Sequence, residues 1–218
     1  MQVYNDPDAA PEKPPIFRKG YPSVVLALTG FITMVSLLQF NAPLDLYQWI
    51  MASAMLVITP GEAGFAQPFG PFAPYILHTL VHGNLFHLVM NMAALIAFGP
   101  VIAVALGRGS RGAVLFLAFF AICAIGGGVA TYAWYEFWNE TTAVIGASSA
   151  ISGLLPAVGY MRGGWQGAWS ISVPWLVINI GLALLGGDVG VMQIAWTAHL
   201  GGLAAGFSFP AFLALARS

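Results

Sequence analysis

Three separated stretches hold the side chains that could do chemistry. HTLVHGNLFHLVMN (78–91) carries three of the four histidines, His78, His82 and His87, together with Asn91. GASSAISG (146–153) offers Ser148, Ser149 and Ser152, and AHLGGLAAG (198–206) holds His199. His87 and Asn91 lie four apart and share a helix face, as do His78 and His82. A serine hydroxyl is a weak nucleophile until an adjacent base takes its proton, and imidazole suits that task near neutral pH. These types therefore point to acyl transfer, with a serine of GASS as nucleophile and His199 as base. The oxyanion would meet His87, Asn91 and the backbone N–H groups where the serine's helix begins. A competing chemistry is ligation: four histidines, two of them as H-x3-H, could hold zinc or a b-type haem in a helical bundle. That would need all four histidines, with no Cys or carboxylate nearby, and would leave Asn91 and GASS without a role. The acyl-transfer reading needs no metal or other cofactor.

The elements that must position these residues are membrane helices. Of 218 residues, 59% are hydrophobic and only 7% charged, and the mean hydropathy is +0.81. A soluble domain would carry about a quarter charged residues. With a net charge of -1 and no basic cluster, nothing points to nucleic acid. The single cysteine, Cys123, excludes an intrachain disulfide. Spanning the hydrocarbon core takes about 20 apolar residues. Six stretches qualify: 22–40, 82–106, 112–135, 146–161, 170–187 and 194–216. The expected fold is an all-α polytopic membrane bundle over 22–217, preceded by a proline-rich, disordered tail (1–21) with Pro7, Pro11, Pro14 and Pro15. The first span reads as a retained signal-anchor. Residues 45–58 are apolar but too short to cross, and read as a helix lying in the interface. With six spans and a cytoplasmic N-terminus, Lys13, Arg18, Lys19, Arg108, Arg111, Arg162 and Arg217 all fall inside, as the positive-inside bias asks. Asp45, Glu62, Glu136, Glu140 and Asp188 fall outside. A seventh span at 45–58 would put Arg108, Arg111 and Arg162 on the wrong side.

Depth follows from counting residues back from each helix's arginine. At 1.5 Å per residue, Ser148 stands ~21 Å from Arg162, Asn91 ~25 Å and His87 ~31 Å from Arg108, and His199 ~27 Å from Arg217. Polar residues from three spans thus converge in the outer half of the membrane. A helix starting near Ser148 is too short for the ~30 Å core, so its first N–H groups need protein or a water-filled cavity around them. Gly202 and Gly206 form a small-residue stripe with His199, which lets another helix approach closely. Gly146, Gly153, Ala147 and Ala150 offer the same on the serine's helix. No Asp or Glu lies within any span, so the expected constellation is a Ser–His dyad.

Together the motifs resemble the rhomboid intramembrane serine proteases, from about residue 22 to 216. H-x3-H-x4-H-x3-N is carried by His78, His82, His87 and Asn91; G-x-S by Gly146, Ala147 and Ser148; A-H-x2-G-x3-G by Ala198, His199, Gly202 and Gly206. The resemblance implies a six-helix fold with a membrane-embedded first loop (41–81). It implies Ser148 as nucleophile, His199 as general base, and His87, Asn91 and the Ser148 N–H as the oxyanion site. It also implies that the fifth helix (170–187, with Trp175) faces the side where substrate arrives. Four positions depart from the family pattern. Ser149 stands where Gly usually follows the nucleophile, and Ser152 where an aromatic often stacks on the base. Ala73-Pro74 replaces a Trp-Arg pair, and Ala103 replaces a Glu between Gly99 and Gly107. The last two bear on how the loop is braced, not on the chemistry.

Blander readings apply to much of this. Taken alone, a serine in a Gly/Ala-rich membrane helix is usually packing or bonded to its own helix. His78 and His82 read as structural, near the surface and satisfied by loop carbonyls. Gly126–Gly128 and Gly186–Gly187 read as packing or turn glycines, Trp134, Trp138, Trp165 and Trp169 as interfacial anchors, and Met90 and Met92 as fillers. The expected partners are the lipid bilayer and transmembrane segments of other proteins, cut as substrates. A non-proteolytic protein that only binds such segments is the alternative within the same fold. The expected location is a bacterial inner membrane with both termini cytoplasmic; the sequence does not reveal an oligomeric state.

Overall fold

The computed structural model describes residues 20–61, 67–184, 188–189, 192–193 and 195–218. The tail expected over 1–21, apart from Gly20 and Tyr21, lies outside the described residues, as do Glu62 and the glycines at 186–187. Helix α1 (Ser23–Asn41) begins behind Pro22, and α2 (Leu44–Ala54) behind Pro43. Strand β1 (Leu56–Ile58) follows, then the short α3 (Pro74–Leu77) and a 3₁₀ turn (His78–Leu80). Next come α4 (Leu85–Leu106), α5 (Ser110–Trp138) and strand β2 (Thr142–Val144). The chain continues through α6 (Ser148–Leu184), a two-residue strand pair (β3, Asp188–Val189; β4, Met192–Gln193), α7 (Trp196–Gly206) and α8 (Phe209–Arg217).

Among the described residues five helical stretches are long and apolar enough to cross a membrane: Ser23–Asn41, Leu85–Leu106, Ser110–Trp138, Ser148–Leu184 and Trp196–Arg217. The fourth is not straight. Gly163 and Gly164 break α6 with non-helical backbone (φ -162°, ψ 33° and φ 57°, ψ -146°), the second in the left-handed region that favours glycine. The chain then doubles back. A Cβ placed on Gly159 would lie 2.3 Å from the Gly167 carbonyl oxygen, and the Trp175 indole N–H donates to Ser152 Oγ at 3.0 Å. In an unbroken helix, residues 152 and 175 would stand ~34 Å apart. α6 is therefore a hairpin, whose arms, 148–162 and 165–184, overlap the stretches expected at 146–161 and 170–187.

Among the boundaries that differ from expectation, two have a clear local reason. The span expected to start at 82 starts at Leu85, because Asn84 caps it: the His87 N–H donates to Asn84 Oδ1 at 2.8 Å. The helix expected over 45–58 ends at Ala54. Leu56–Ile58 instead pairs antiparallel with Thr142–Val144, Leu56 opposite Val144. β-Branched Val57 and Ile58 suit an extended ladder, and the pairing satisfies backbone groups that a membrane-depth loop could not leave bare.

The bundle is apolar both inside, around Phe116, Phe119, Leu154 and Phe209, and over much of its surface, with a few polar residues buried between the helices. Leu26, Met34, Val114, Val129 and Val177 are exposed, whereas Ser36, Gln39, Asn91, Asn179 and His199 are buried. Lipid gives helices no hydrophobic reason to associate, so close packing must hold them. α7 supplies it with backbone on two faces. A Cβ on Gly202 would sit 1.9 Å from the Ser149 carbonyl oxygen of α6, and one on Gly201 2.3 Å from that of Gly126 in α5. The glycines at 126–128 and 201–202 thus serve packing. At one end, Arg108 donates to the Gly20 carbonyl oxygen at 3.0 Å, and Arg111 to that of Leu215 at 2.7 Å. Gly20 and Ser218 therefore lie at the same end of the bundle. Trp165, Trp169 and Phe207 cluster near Arg162, while Trp134, Trp138 and Trp196 cluster at the opposite end.

Candidate active site

Ser148 is the first residue of α6, half-buried, with its Oγ 2.8 Å from His199 Nε2 on α7. The glycine stripe explains this reach. Gly202, one turn beyond His199, brings the α7 backbone against Ser149, and Gly206 does the same against Gly153, where a Cβ would lie 2.2 Å from the carbonyl oxygen. Thr131 of α5 and Thr197 of α7 meet at 3.0 Å between their hydroxyls, which pins the other side of the helix that carries His199.

The other ring nitrogen, His199 Nδ1, lies 2.9 Å from Asn179 Oδ1 on the second arm of α6. The Trp175 ring lies against the imidazole, with 5.5 Å between centroids and 38° between planes. Ser152 stands at the position where the motif pattern often has an aromatic. Its hydroxyl donates to the Ser148 carbonyl oxygen at 2.7 Å and accepts from Trp175 Nε1 at 3.0 Å. The ring against His199 thus comes from the second arm of the hairpin rather than from the arm that bears Ser148.

His87 and Asn91 come together with the turn before Ser148. A Cβ on Gly146 would lie 2.5 Å from His87 Cε1 and 3.6 Å from Asn91 Nδ2, and Gly146 has φ +100°. Only glycine serves there, on both counts. The Asn91 side chain donates to the His87 carbonyl oxygen at 3.0 Å, which leaves its second amide hydrogen available. Ser148 and the two residues after it head the helix, so their N–H groups have no carbonyl one turn earlier within it. Three sequence-predicted motifs from α4, α6 and α7 are thus brought to one place.

His78 and His82 are not at the surface: each is 0% exposed. His78 Nδ1 donates to the Pro74 carbonyl oxygen at 2.8 Å, as expected of a structural histidine, but its Nε2 faces Ser149 Oγ at 2.9 Å. Pro74 belongs to the dipeptide that departs from the family pattern, so the loop is braced through its carbonyl. His82 has a hydroxyl partner rather than a carbonyl: Ser36 Oγ of α1 lies 2.9 Å from its Nδ1. Gln39 bonds the His82 backbone both ways, at 2.9 and 3.0 Å. Ser36 and Gln39 were missed from sequence, as was Asn179; the signal in each case is a polar residue inside an apolar span. Among the described residues no three His, Cys, Asp or Glu side chains are grouped to hold a metal.

The fold and this cluster define a class: a multi-pass helical membrane protein with serine, histidines and amides gathered within the bundle. The rhomboid-domain family model matches residues 70–216, and the chain belongs to the rhomboid family. No curated protein matches it.

Proposed function

We propose that this protein is an intramembrane serine endopeptidase that cleaves transmembrane segments of other membrane proteins, with a domain spanning 22–217. The observation that carries the reading is the 2.8 Å contact between Ser148 Oγ and His199 Nε2. As Oγ attacks a substrate carbonyl carbon, its proton passes to Nε2. The oxyanion takes hydrogen bonds from Asn91 Nδ2, His87 and the N–H groups at the start of α6. The imidazolium then protonates the departing amine, leaving an acyl-enzyme. Water, deprotonated by the same imidazole, attacks the ester and frees Ser148. Family membership supports a protease of this kind. Hydrogen bonds at both nitrogens of His78 and His199 favour this chemistry over metal or haem ligation.

The same reading places Arg108, Arg111, Gly20 and Ser218 on the cytoplasmic side of a bacterial inner membrane and the site in the outer half. Counting the arms of α6 separately gives six spans. Substrates unwind near small or helix-breaking residues close to the outer leaflet, because a carbonyl still in a helix is hidden from attack.

A fluorophosphonate tests the proposal, since only an activated serine reacts covalently. An adduct mapped to residue 148 supports it. An unreactive wild-type protein returns the chain to the alternative, a membrane protein that binds transmembrane segments without cutting them. Two variants refine the assignment. Asn91→Ala should lower turnover by about 10²-fold, the usual effect of losing one oxyanion donor, read from initial cleavage rates. Ser149→Ala should keep its activity, because Ser149 is sealed in and faces His78 rather than His199. It leaves His78 Nε2 without its partner and should cost about 1–3 kcal/mol of stability, measurable by thermal unfolding in detergent.

A further inference from the structure

A neutral imidazole carries one proton, and a serine hydroxyl can be activated only by the nitrogen that lacks it. In isolation the two tautomers are both accessible, and the hydrogen bond at the far nitrogen selects between them. For His199 the far nitrogen is Nδ1, and its neighbour is Asn179 Oδ1 at 2.9 Å. The orientation of that amide is fixed in turn: Asn179 Nδ2 donates to the Trp175 carbonyl oxygen at 2.8 Å, so Oδ1 is the atom left facing the ring. An acceptor at Nδ1 requires Nδ1–H. Nε2 then presents a bare lone pair, 2.8 Å from the Ser148 hydroxyl.

Asn179 has no packing reason to be polar. It is 0% exposed, between exposed Ile178 and Ile180 on an apolar arm. A buried amide is costly unless fully hydrogen-bonded, and here its bonds go to the base and to its own helix. It lies four residues beyond Trp175 and on the same face, so one helix face holds the imidazole both in its plane and across its ring.

We propose that Asn179 is the positioning residue of this site, selecting the His199 tautomer that activates Ser148 and holding the ring through the proton transfer. It accepts from Nδ1–H before, during and after the transfer and is not itself protonated. The inference rests on the proposed serine-protease function and adds a third, uncharged member to the expected dyad.

Asn179→Leu keeps the bulk and removes the acceptor. It should lower kcat by about 10²-fold with KM within about twofold, and slow fluorophosphonate labelling of Ser148 in proportion. Asn179→Asp restores an acceptor and should recover kcat to within about tenfold of wild type. A leucine variant that turns over and labels like wild type would overturn the proposal. A second readout needs no variant at residue 179. In wild-type protein with ¹⁵N-histidine, the signal lost in His199→Gln should show a protonated Nδ1 and an unprotonated Nε2; the reverse pattern would also overturn it. The two readings fail separately. A wild-type protein that never labels at Ser148 removes the protease function, whereas normal labelling that ignores Asn179→Leu removes only the positioning role.

Discussion

Ser148→Ala abolishes fluorophosphonate labelling and lowers substrate cleavage by about 10⁴-fold or more, the expected loss when a nucleophile is removed from a serine–histidine site. That is at least ~5.5 kcal/mol in the barrier, at ~1.36 kcal/mol per factor of ten. Against it stands one lost hydrogen bond, worth about 1 kcal/mol of stability, from a half-buried side chain. The variant should therefore be extracted and unfold thermally almost as wild type does. His199→Ala should behave alike in cleavage, because on the proposed mechanism the two groups act as a unit and their losses do not add. Cleavage of a reconstituted transmembrane substrate, alongside unfolding in detergent, checks both. Covalent modification at Ser149 in the Ser148 variant, with cleavage intact, would reassign the nucleophile to the serine facing His78.

Gly202→Ala is the second large effect, and it adds only a methyl group. That carbon would lie 1.9 Å from the Ser149 carbonyl oxygen and 3.2 Å from Ser149 Cα, backbone atoms that cannot rotate aside. Ordinary contact begins near 3.4 Å, so α6 and α7 must part by roughly 1.5 Å. The Ser148–His199 contact, now 2.8 Å, sits at that same crossing. A displacement of ~1 Å from reactive geometry can cost 10²-fold in rate, and overpacking costs about 1–3 kcal/mol in stability. The variant should show both losses together. Gly30→Ala is the control: nothing lies within 4 Å of the added carbon on α1, and activity and unfolding should hold or improve. If Gly202→Ala is as active as wild type, the crossing is looser than the distances state.

Much of the site can be read from sequence because its parts are local. His87 and Asn91 are one turn apart, and Gly202 and Gly206 lie at the turn spacing that close helix crossings use. Counting from the arginines brings α4, α6 and α7 to a common depth. What escapes is set by contacts between distant residues. Ser36 and His82 are 46 apart in sequence, and nothing local to either announces the other. The pairing of Leu56–Ile58 with Thr142–Val144 joins segments too short to show a strand period. Asn179 was legible as a fact but not as a role. It is the one amide in the apolar stretch 170–187, yet an uncharged third member carries no sequence signal that separates it from a packing residue. The departure at Ser152 reads as a missing ring, until the Gly163–Gly164 turn returns Trp175 to the same place.

The two tryptophan groups bear on how the molecule floats. Indoles prefer the headgroup layer, where their apolar rings and N–H groups are both accommodated. On the proposed orientation, Trp134, Trp138 and Trp196 at one end and Trp165 and Trp169 at the other would moor the bundle at both leaflets. Bilayers of different acyl length must then stretch or thin around it rather than let it ride up and down. On that reading the level of the Ser148 hydroxyl is referenced to the headgroups. On the proposed function, a neighbouring protein meets the blade at a height set by the lipid surface, whatever the thickness of oil beneath.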